Sequence, residues 1–231
     1  YKALEFTGDT IQYLSMDDRF SLCNMAIEAG AKNGIVAYDE ITKEFLDTRE
    51  SLRAEPKIHY SDDDAVYCQV IEIDVEKLEP VIAYPFLPSN GHSVSQAVAD
   101  NIRVDQVFIG SCTNGRLSDF KIAAEILAGK KVARHVRLIL TPGTQKILRE
   151  ATKAGYIDTL VDAGAVVSNP TCGACLGGYM GILGDGEVCI ATTNRNFVGR
   201  MGSRSSKIYL ANSAVAAASA ISGYITDPRC L

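Results

Sequence analysis

Residues 104–115 read VDQVFIGSCTNG, an apolar run that changes abruptly into a short polar loop. The run Val104–Gly110 predicts a buried strand, and the residues after it predict a loop and then a helix that ends near Gly129. The same order of strand, loop and helix returns further along the chain. Further strands are predicted over residues 136–140, 165–168, 188–193 and 207–211. A last helix is predicted over 214–222, with Ser213 as its N-cap and Gly223 as its stop. Strands that alternate with helices favour an α/β fold with a parallel, covered sheet.

The residues before this region predict a second, smaller α/β unit. A helix over 15–29 is expected to begin at Ser15, with Asp18 in a variant of the capping box, and to end at Gly30. Further elements are predicted as strands within 1–14, over 34–37 and over 70–75, and as a helix over 39–48 capped by Asp39. The stretch 80–92 contains three prolines and an Asn-Gly pair, which predicts an inter-domain linker. We therefore expect two domains, residues 1–92 with the linker and residues 93–231.

The composition narrows the class of protein. The chain of 231 residues is 47% apolar, enough to bury a sizeable core, and its formal net charge of −5 argues against nucleic acid or an anionic membrane as a partner. No apolar run approaches the roughly 20 residues of a membrane helix. Seven cysteines, an odd number, predict a reducing, cytoplasmic compartment in which thiols are free or metal-bound. Because the first residue is Tyr1 rather than Met, we expect a fragment or a processed product.

Residues of chemical interest follow three of the predicted strands. They are, in chain order, Cys112, then Cys172 and Cys175, and then Asn194, Arg195 and Arg200. Ligands of open parallel sheets gather outside the carboxyl ends of the strands. We therefore expect the three loops to converge on one edge of the sheet.

The three loop cysteines admit three interpretations. Cys172 and Cys175 could form a redox dithiol, which leaves Cys112 unexplained. A zinc site needs a fourth ligand, and neither Cys68 nor Cys189 is well placed to supply it. An iron–sulfur site uses all three thiolates and leaves one metal position open for water or substrate, while the glycines of residues 173–178 let the backbone approach a bulky cluster.

Polar residues elsewhere have both a structural and a functional interpretation. Arg195 and Arg200 could bind carboxylates in a bidentate manner, or they could form ordinary surface salt bridges. Asn24 and Glu28 are four residues apart, so on a helix they share a face that either is solvated or points into a cleft. The spacing by itself does not decide between these interpretations.

Taken together, four stretches resemble the aconitase superfamily, in particular its two-subunit isopropylmalate dehydratase branch. They are CNMAIEAGA at residues 23–31, SCTNG at 111–115, the loop of Cys172 and Cys175, and NRNFVGR at 194–200. The resemblance implies three-layer α/β/α domains with parallel sheets and a [4Fe–4S] cluster bound by Cys112, Cys172 and Cys175, with the fourth iron open. It further implies that Arg195 and Arg200 bind substrate carboxylates. Asn24 and Asn194 are implied to bind substrate, and Glu28 is implied as a catalytic residue.

The same resemblance implies a hydro-lyase that moves a hydroxyl group between adjacent carbons of a dicarboxylate hydroxy acid. The expected reaction interconverts 2-isopropylmalate and 3-isopropylmalate in leucine synthesis, with citramalate or homoaconitate as close alternatives. A small dehydratase subunit is the implied partner and carries the serine base. Large subunits of the superfamily begin with a further domain that this chain does not match, so we expect the isolated chain to be nearly inactive. The alternatives from other classes are a non-catalytic metal- or RNA-binding module and a zinc or dithiol redox protein.

Overall fold

The computed structural model describes residues 1–48 and 57–231. These residues form two compact units, Tyr1–Leu78 and Glu79–Leu231. No helix of the described chain combines the length and the apolar character that crossing a bilayer requires, and the longest, over 117–127, has 11 residues.

The first unit contains a two-stranded parallel sheet and two helices. Its elements are β1 (Ala3–Phe6), α1 (Met16–Met25), β2 (Asn33–Val36) and α2 (Glu40–Asp47). Ser15 forms the predicted capping box with Asp18, and Asp39 caps α2 by accepting a hydrogen bond from the backbone of Thr42. The helix predicted over 15–29 ends earlier than expected, because α1 tightens into a 3-10 turn over Ala26–Ala29 before the left-handed Gly30.

The strand predicted over 70–75 is wrong. Residues 70–74 are irregular and exposed, and a 3-10 turn follows at Val75–Lys77. The side chains of Ile71 and Ile73 are 72% and 67% exposed, so the alternation of apolar residues marks no buried face. A strand needs a neighbour for its backbone groups, and a single-strand pattern cannot indicate whether one is present.

One ion pair, formed by the buried Arg19 and the partly exposed Asp39, joins the elements of the first unit. Arg19 is 2% exposed, and its guanidinium donates to both carboxylate oxygens of Asp39 at 2.7 and 2.6 Å. It also donates to the carbonyls of Leu14 and Ile11 at 3.1 and 2.9 Å and to the hydroxyl of Thr42 at 3.2 Å. These contacts join α1, the cap of α2 and the segment before α1 around one cation.

The second unit is built on a seven-stranded sheet. Its strands are β3 (Val81–Ala83), β4 (Gly91–Ser93), β5 (Gln106–Gly110), β6 (Arg137–Thr141), β7 (Val166–Val167), β8 (Val188–Ala191) and β9 (Lys207–Leu210). Its helices are α3 (Val94–Ala99), α4 (Ser111–Asn114), α5 (Leu117–Leu127), α6 (Gln145–Lys153), α7 (Tyr156–Ala163) and α8 (Ser213–Ser222). The strand order is β4-β3-β9-β8-β5-β6-β7, and the pairs from β9 to β7 are all parallel. The predicted α/β class with a mostly parallel sheet is confirmed.

The stretch 80–92, expected as a linker, differs from that expectation. β3 and β4 pair in an antiparallel hairpin, and β3 joins the large sheet beside β9. Pro85, Pro88 and Asn90 lie in the turn between the two strands, and Ile82 of β3 is fully buried. The compact units accordingly divide between Leu78 and Glu79. Turn-forming residues indicate a change of chain direction, and a hairpin produces the same signal as a linker.

The two faces of the sheet are covered differently. On one face, strand residues such as Val107, Ile109 and Leu138 pack in a core with side chains of α5, α7 and α8. On the other face, Phe108 and Ile139 pack with Ala174, Cys175 and Met201. Among the described residues of this second cluster, those outside the sheet lie in loops and a 3-10 turn rather than in α-helices. The cysteine and arginine loops are therefore part of the core.

Replacing Asp39 with Asn is expected to destabilise the first unit by about 1–2 kcal/mol, because Arg19 stays buried without its counter-ion. Hydrogen bonds from Arg19 are the main reason that the pKa of Asp39 falls to about 2. Since this folded-state pKa lies below the usual 3.8, the stabilisation is present above about pH 4 and is lost as the pH falls through about 2. The measurement is urea unfolding followed by hydrogen exchange of the α1 and α2 amides. The difference in unfolding free energy between wild type and D39N should be present at pH 7 and should disappear near pH 2.

The control is D47N, which makes the same chemical change at the exposed Lys43–Asp47 pair on α2. We expect D47N to change stability by less than about 0.5 kcal/mol. Equal effects of the two variants at pH 7 would contradict the assignment of the buried pair.

Candidate functional site

A constrained turn at the end of β5 presents Cys112. Gly110 adopts φ 145° and ψ −148°, and a Cβ atom there would lie 2.1 Å from the carbonyl oxygen of Thr141 on β6. Ser111 follows with φ 77°, an uncommon value for a residue with a side chain, although it is 2% exposed. Only glycine fits the first position, and the chain then leaves the sheet so that Cys112 is exposed in α4.

The loop of Cys172 and Cys175 lies on the loop-covered face of the sheet. A 3-10 turn over Gly173–Leu176 is closed by a hydrogen bond from the Cys175 amide to the Cys172 carbonyl at 3.1 Å. A Cβ atom on Gly173 would lie 3.5 Å from the ring of Phe108 on β5. Cys175 points into the core and is 5% exposed, whereas Cys172 is exposed.

The Cys175 thiol interacts electrostatically with the two other loop cysteines and with Arg200. Burial raises the pKa of the Cys175 thiol above its usual value, and the positive charge and hydrogen bond of Arg200 oppose that effect. The charges of Cys112 and Cys172 raise the same pKa further. Cys175 thus lies within electrostatic range of the two cysteines that the sequence analysis grouped with it, although Cys112 is 63 residues before it in the chain. Their shared role as ligands of one cluster stays a prediction.

The loop after β8 contributes polar groups to the same place. Asn194 is 8% exposed, and its side-chain oxygen accepts a hydrogen bond from the Cys175 thiol at 4.0 Å. The Nε atom of Arg200 is buried and has no hydrogen-bond partner within the described residues. Arg195 follows Asn194 directly and is half-buried. A buried cationic donor beside a thiol suits an anionic ligand at this position.

Backbone contacts hold the cysteine loop against the arginine loop. A Cβ atom on Gly177 would lie 3.1 Å from the carbonyl oxygen of Arg200. Further along, the Leu183 amide donates to the Met201 carbonyl at 2.8 Å, and the Ser203 amide donates to Leu183 at 2.9 Å. The two loops therefore position each other through their main chains.

Asn24 and Glu28 belong to the first unit. Asn24 lies on α1 and Glu28 in the 3-10 turn after it, and both are half-buried. A 3-10 turn rotates further per residue than an α-helix, so Glu28 lies further around the axis than the predicted continuous helix would carry it. Their expected roles remain predictions.

The described side chains do not form a site for a single metal ion. Among the residues that the structure describes, no three His, Cys, Asp or Glu side chains are grouped closely enough to bind one ion. Thiolates around one zinc ion must all lie about 2.3 Å from it, whereas the cysteines of a cubane cluster each bind a different iron. Cys189 is fully buried in β8, and burial raises its pKa to about 12, so it is an apolar core residue.

Sequence reasoning missed two residues that shape the site. The close approach of Gly110 could have been suspected, because a glycine that ends an apolar run often marks a turn. Thr192, at the end of β8, accepts a hydrogen bond from the Gly110 amide at 2.8 Å. Nothing in its sequence context distinguishes it from any other buried threonine.

The chain is similar in sequence to the proteins of one family. The model of the Aconitase family (aconitate hydratase) matches residues 1–223. Proteins named 3-isopropylmalate dehydratase large subunit are similar along almost the entire chain. The identities are 92% for Aliarcobacter butzleri, 77% for Sulfurimonas denitrificans and 75% for Wolinella succinogenes, over 100%, 99% and 100% of this chain. The chain spans about half the length of these curated relatives, namely 55%, 54% and 55%.

Replacing Gly110 with Ala is expected to destabilise the second unit by about 3 kcal/mol or more, because the added methyl group meets the β6 backbone. The matched control is G129A, where φ is also positive but no atom lies within 4 Å of the added Cβ. Backbone strain alone then costs about 1 kcal/mol. Urea unfolding of both variants measures the difference, and a similar loss in G110A and G129A would show that the contact with Thr141 is unimportant.

Proposed function

Because this chain belongs to the aconitase family, we propose that it is the cluster-binding part of an isopropylmalate dehydratase large subunit. The observation that supports the proposal is the surroundings of Cys175: its thiol contacts Asn194 at 4.0 Å, and Arg200, Cys112 and Cys172 act on it electrostatically. The proposed reaction interconverts 2-isopropylmalate and 3-isopropylmalate by dehydration and rehydration. The names of the relatives support isopropylmalate over citramalate or homoaconitate.

We propose Cys112, Cys172 and Cys175 as the ligands of a [4Fe–4S] cluster. Three thiolates would bind three of the four irons, so the fourth would have no protein ligand and would be open to substrate. Thiols bind iron only when deprotonated, and burial opposes deprotonation at Cys175. The charge of Arg200 opposes that penalty, so its position beside Cys175 supports the assignment.

The arginine loop is the proposed carboxylate-binding element. Arg195 and Arg200 present planar guanidinium groups that pair with carboxylates through two parallel hydrogen bonds. The partnerless Nε of Arg200 is a buried donor that a bound dicarboxylate can satisfy. Asn194, held beside the Cys175 thiol, is proposed to bind substrate next to the cluster. When bound, the cluster supplies a Lewis acid for the substrate hydroxyl and one carboxylate.

The remaining assignments follow from family membership. Asn24 is proposed to bind substrate, and Glu28 is proposed to take part in proton transfer, a task for which a half-buried carboxylate is suited. A small dehydratase subunit is the proposed partner, as the name of the relatives implies. We propose a cytoplasmic location, because an exposed iron and free thiols require reducing conditions. The net charge of −5 supports neither nucleic acid nor membrane binding.

Anaerobic reconstitution of the chain with iron and sulfide is expected to yield about four of each per chain and broad absorption near ~400 nm. C112S, C172S and C175S should each lose most of the bound iron, because every one removes a ligand. C230S is the matched control, since Cys230 is an exposed cysteine outside the three loops. Stoichiometric zinc without colour, or full loading of C112S, would contradict the cluster assignment.

In the complete enzyme, R195Q and R200Q are each expected to lower kcat/KM for 2-isopropylmalate by about 10–100-fold, because charge-assisted hydrogen bonds to a carboxylate are lost. Rates are normalised to cluster content, since Arg200 also contacts Cys175. R204Q, at an exposed arginine of the same loop, is the control and should remain near the wild-type rate. If R204Q loses as much activity as R195Q, the effect is one of overall charge, and the carboxylate assignment fails.

A further inference from the structure

We propose that Thr192, which is not a cluster ligand, positions Cys112 for cluster binding. This inference rests on the proposed function, because it takes Cys112 to be a ligand. Thr192 is fully buried at the carboxyl end of β8, beside the end of β5. Both the cysteine turn and the arginine loop begin at this point of the sheet.

The hydroxyl of Thr192 replaces a missing part of the strand ladder. β5 and β8 pair up to Phe108 and Ala191, and the Thr192 amide then donates to the Phe108 carbonyl at 3.0 Å. Beyond that pair, Gly110 leaves the regular strand conformation. Its amide donates to the Thr192 hydroxyl at 2.8 Å, and that hydroxyl donates to the Gly110 carbonyl at 3.5 Å. One side chain thus serves both backbone groups of the residue that begins the turn.

Thr192 also contacts the far side of the turn. The side-chain amide of Asn114 donates to the Thr192 carbonyl at 2.9 Å. Gly110 lies two residues before Cys112 and Asn114 lies two residues after it, so Thr192 tethers the chain on both sides of the thiol. The intervening Ser111 has a strained positive φ, and such conformations persist only where the surroundings impose them.

The same residue relates the thiol to the proposed substrate-binding groups. Asn194 and Arg195 follow Thr192 by two and three positions. A tether between Thr192 and the Cys112 turn therefore sets the distance between a cluster ligand and the loop that receives the carboxylates. Residues that hydrogen-bond to metal ligands or to their backbone orient those ligands, and their removal commonly lowers metal affinity by about 10–100-fold.

The test compares T192V, which removes the hydroxyl, with T192S, which keeps it. Each chain is reconstituted anaerobically, and the rate of cluster loss to an iron chelator is followed together with the visible circular dichroism of the cluster. We expect T192V to lose its cluster about tenfold faster with an altered spectrum, and T192S to remain within about twofold of wild type. S219A is the control for a general loss of stability. Ser219 is also fully buried, and its hydroxyl also forms hydrogen bonds with two backbone groups, the carbonyl of Val215 and the amide of Thr226.

S219A is expected to lower the melting temperature while leaving the rate of cluster loss unchanged. A wild-type rate and spectrum in T192V, or equal acceleration in S219A, would overturn the positioning role of Thr192. If T192V does not fold, N114A is used instead, because it removes the hydrogen bond from the Asn114 side chain to the Thr192 carbonyl. We expect N114A to lose its cluster about fivefold faster than wild type. A wild-type rate in N114A would also overturn the inference. If the wild-type chain takes up no iron and sulfide, the proposed function itself fails. That result is distinct from failure of the Thr192 role, in which the wild-type chain binds a cluster and T192V behaves like it.

Discussion

The contact between Gly110 and the backbone of Thr141 is the constraint on which the rest of the site depends. A Cβ atom at residue 110 would lie 2.1 Å from the Thr141 carbonyl oxygen, so β6 leaves no room for a side chain at this point of β5. β5 therefore cannot continue as a strand with side chains, and it turns sharply through Ser111. The next residue is Cys112, so a steric requirement in the sheet determines where the first thiol is presented. Gly115 extends the same contact, because its carbonyl accepts a hydrogen bond from the Gly143 amide at 2.8 Å.

A second requirement is electrostatic. Metal binding needs charged thiolates, and the core around Cys175 disfavours charge. Arg200 supplies a cation beside this thiol. In the proposed site, this one cation would support the thiolate and also attract a carboxylate substrate. The main-chain contacts between the cysteine and arginine loops agree with that proposed double role.

Much of the fold could be predicted from local signals. The caps at Ser15 and Asp39 form as expected, because a cap is a contact between residues three apart and needs no distant partner. The helix stop at Gly223 likewise follows from its left-handed conformation. The cap of α8 is Asn212 rather than the predicted Ser213, whose hydroxyl instead donates to Asp119 of α5 at 2.6 Å. A tertiary contact thus decided between two neighbouring residues that were equally suited to the cap.

The amino-acid sequence by itself determined the family, the alternation of strands and helices, and the placing of the cysteines and arginines after strands. These properties depend on hydrophobic periodicity and on short motifs, both of which are local. Only the tertiary structure decided that 81–83 and 91–93 are strands of the large sheet, that 70–74 are irregular, and that loops cover the face of the sheet opposite the helices. It also decided the place of Thr192, whose hydroxyl bonds a residue 82 positions away. Such contacts depend on which strands become neighbours, and strand pairing is a property of the whole folded chain.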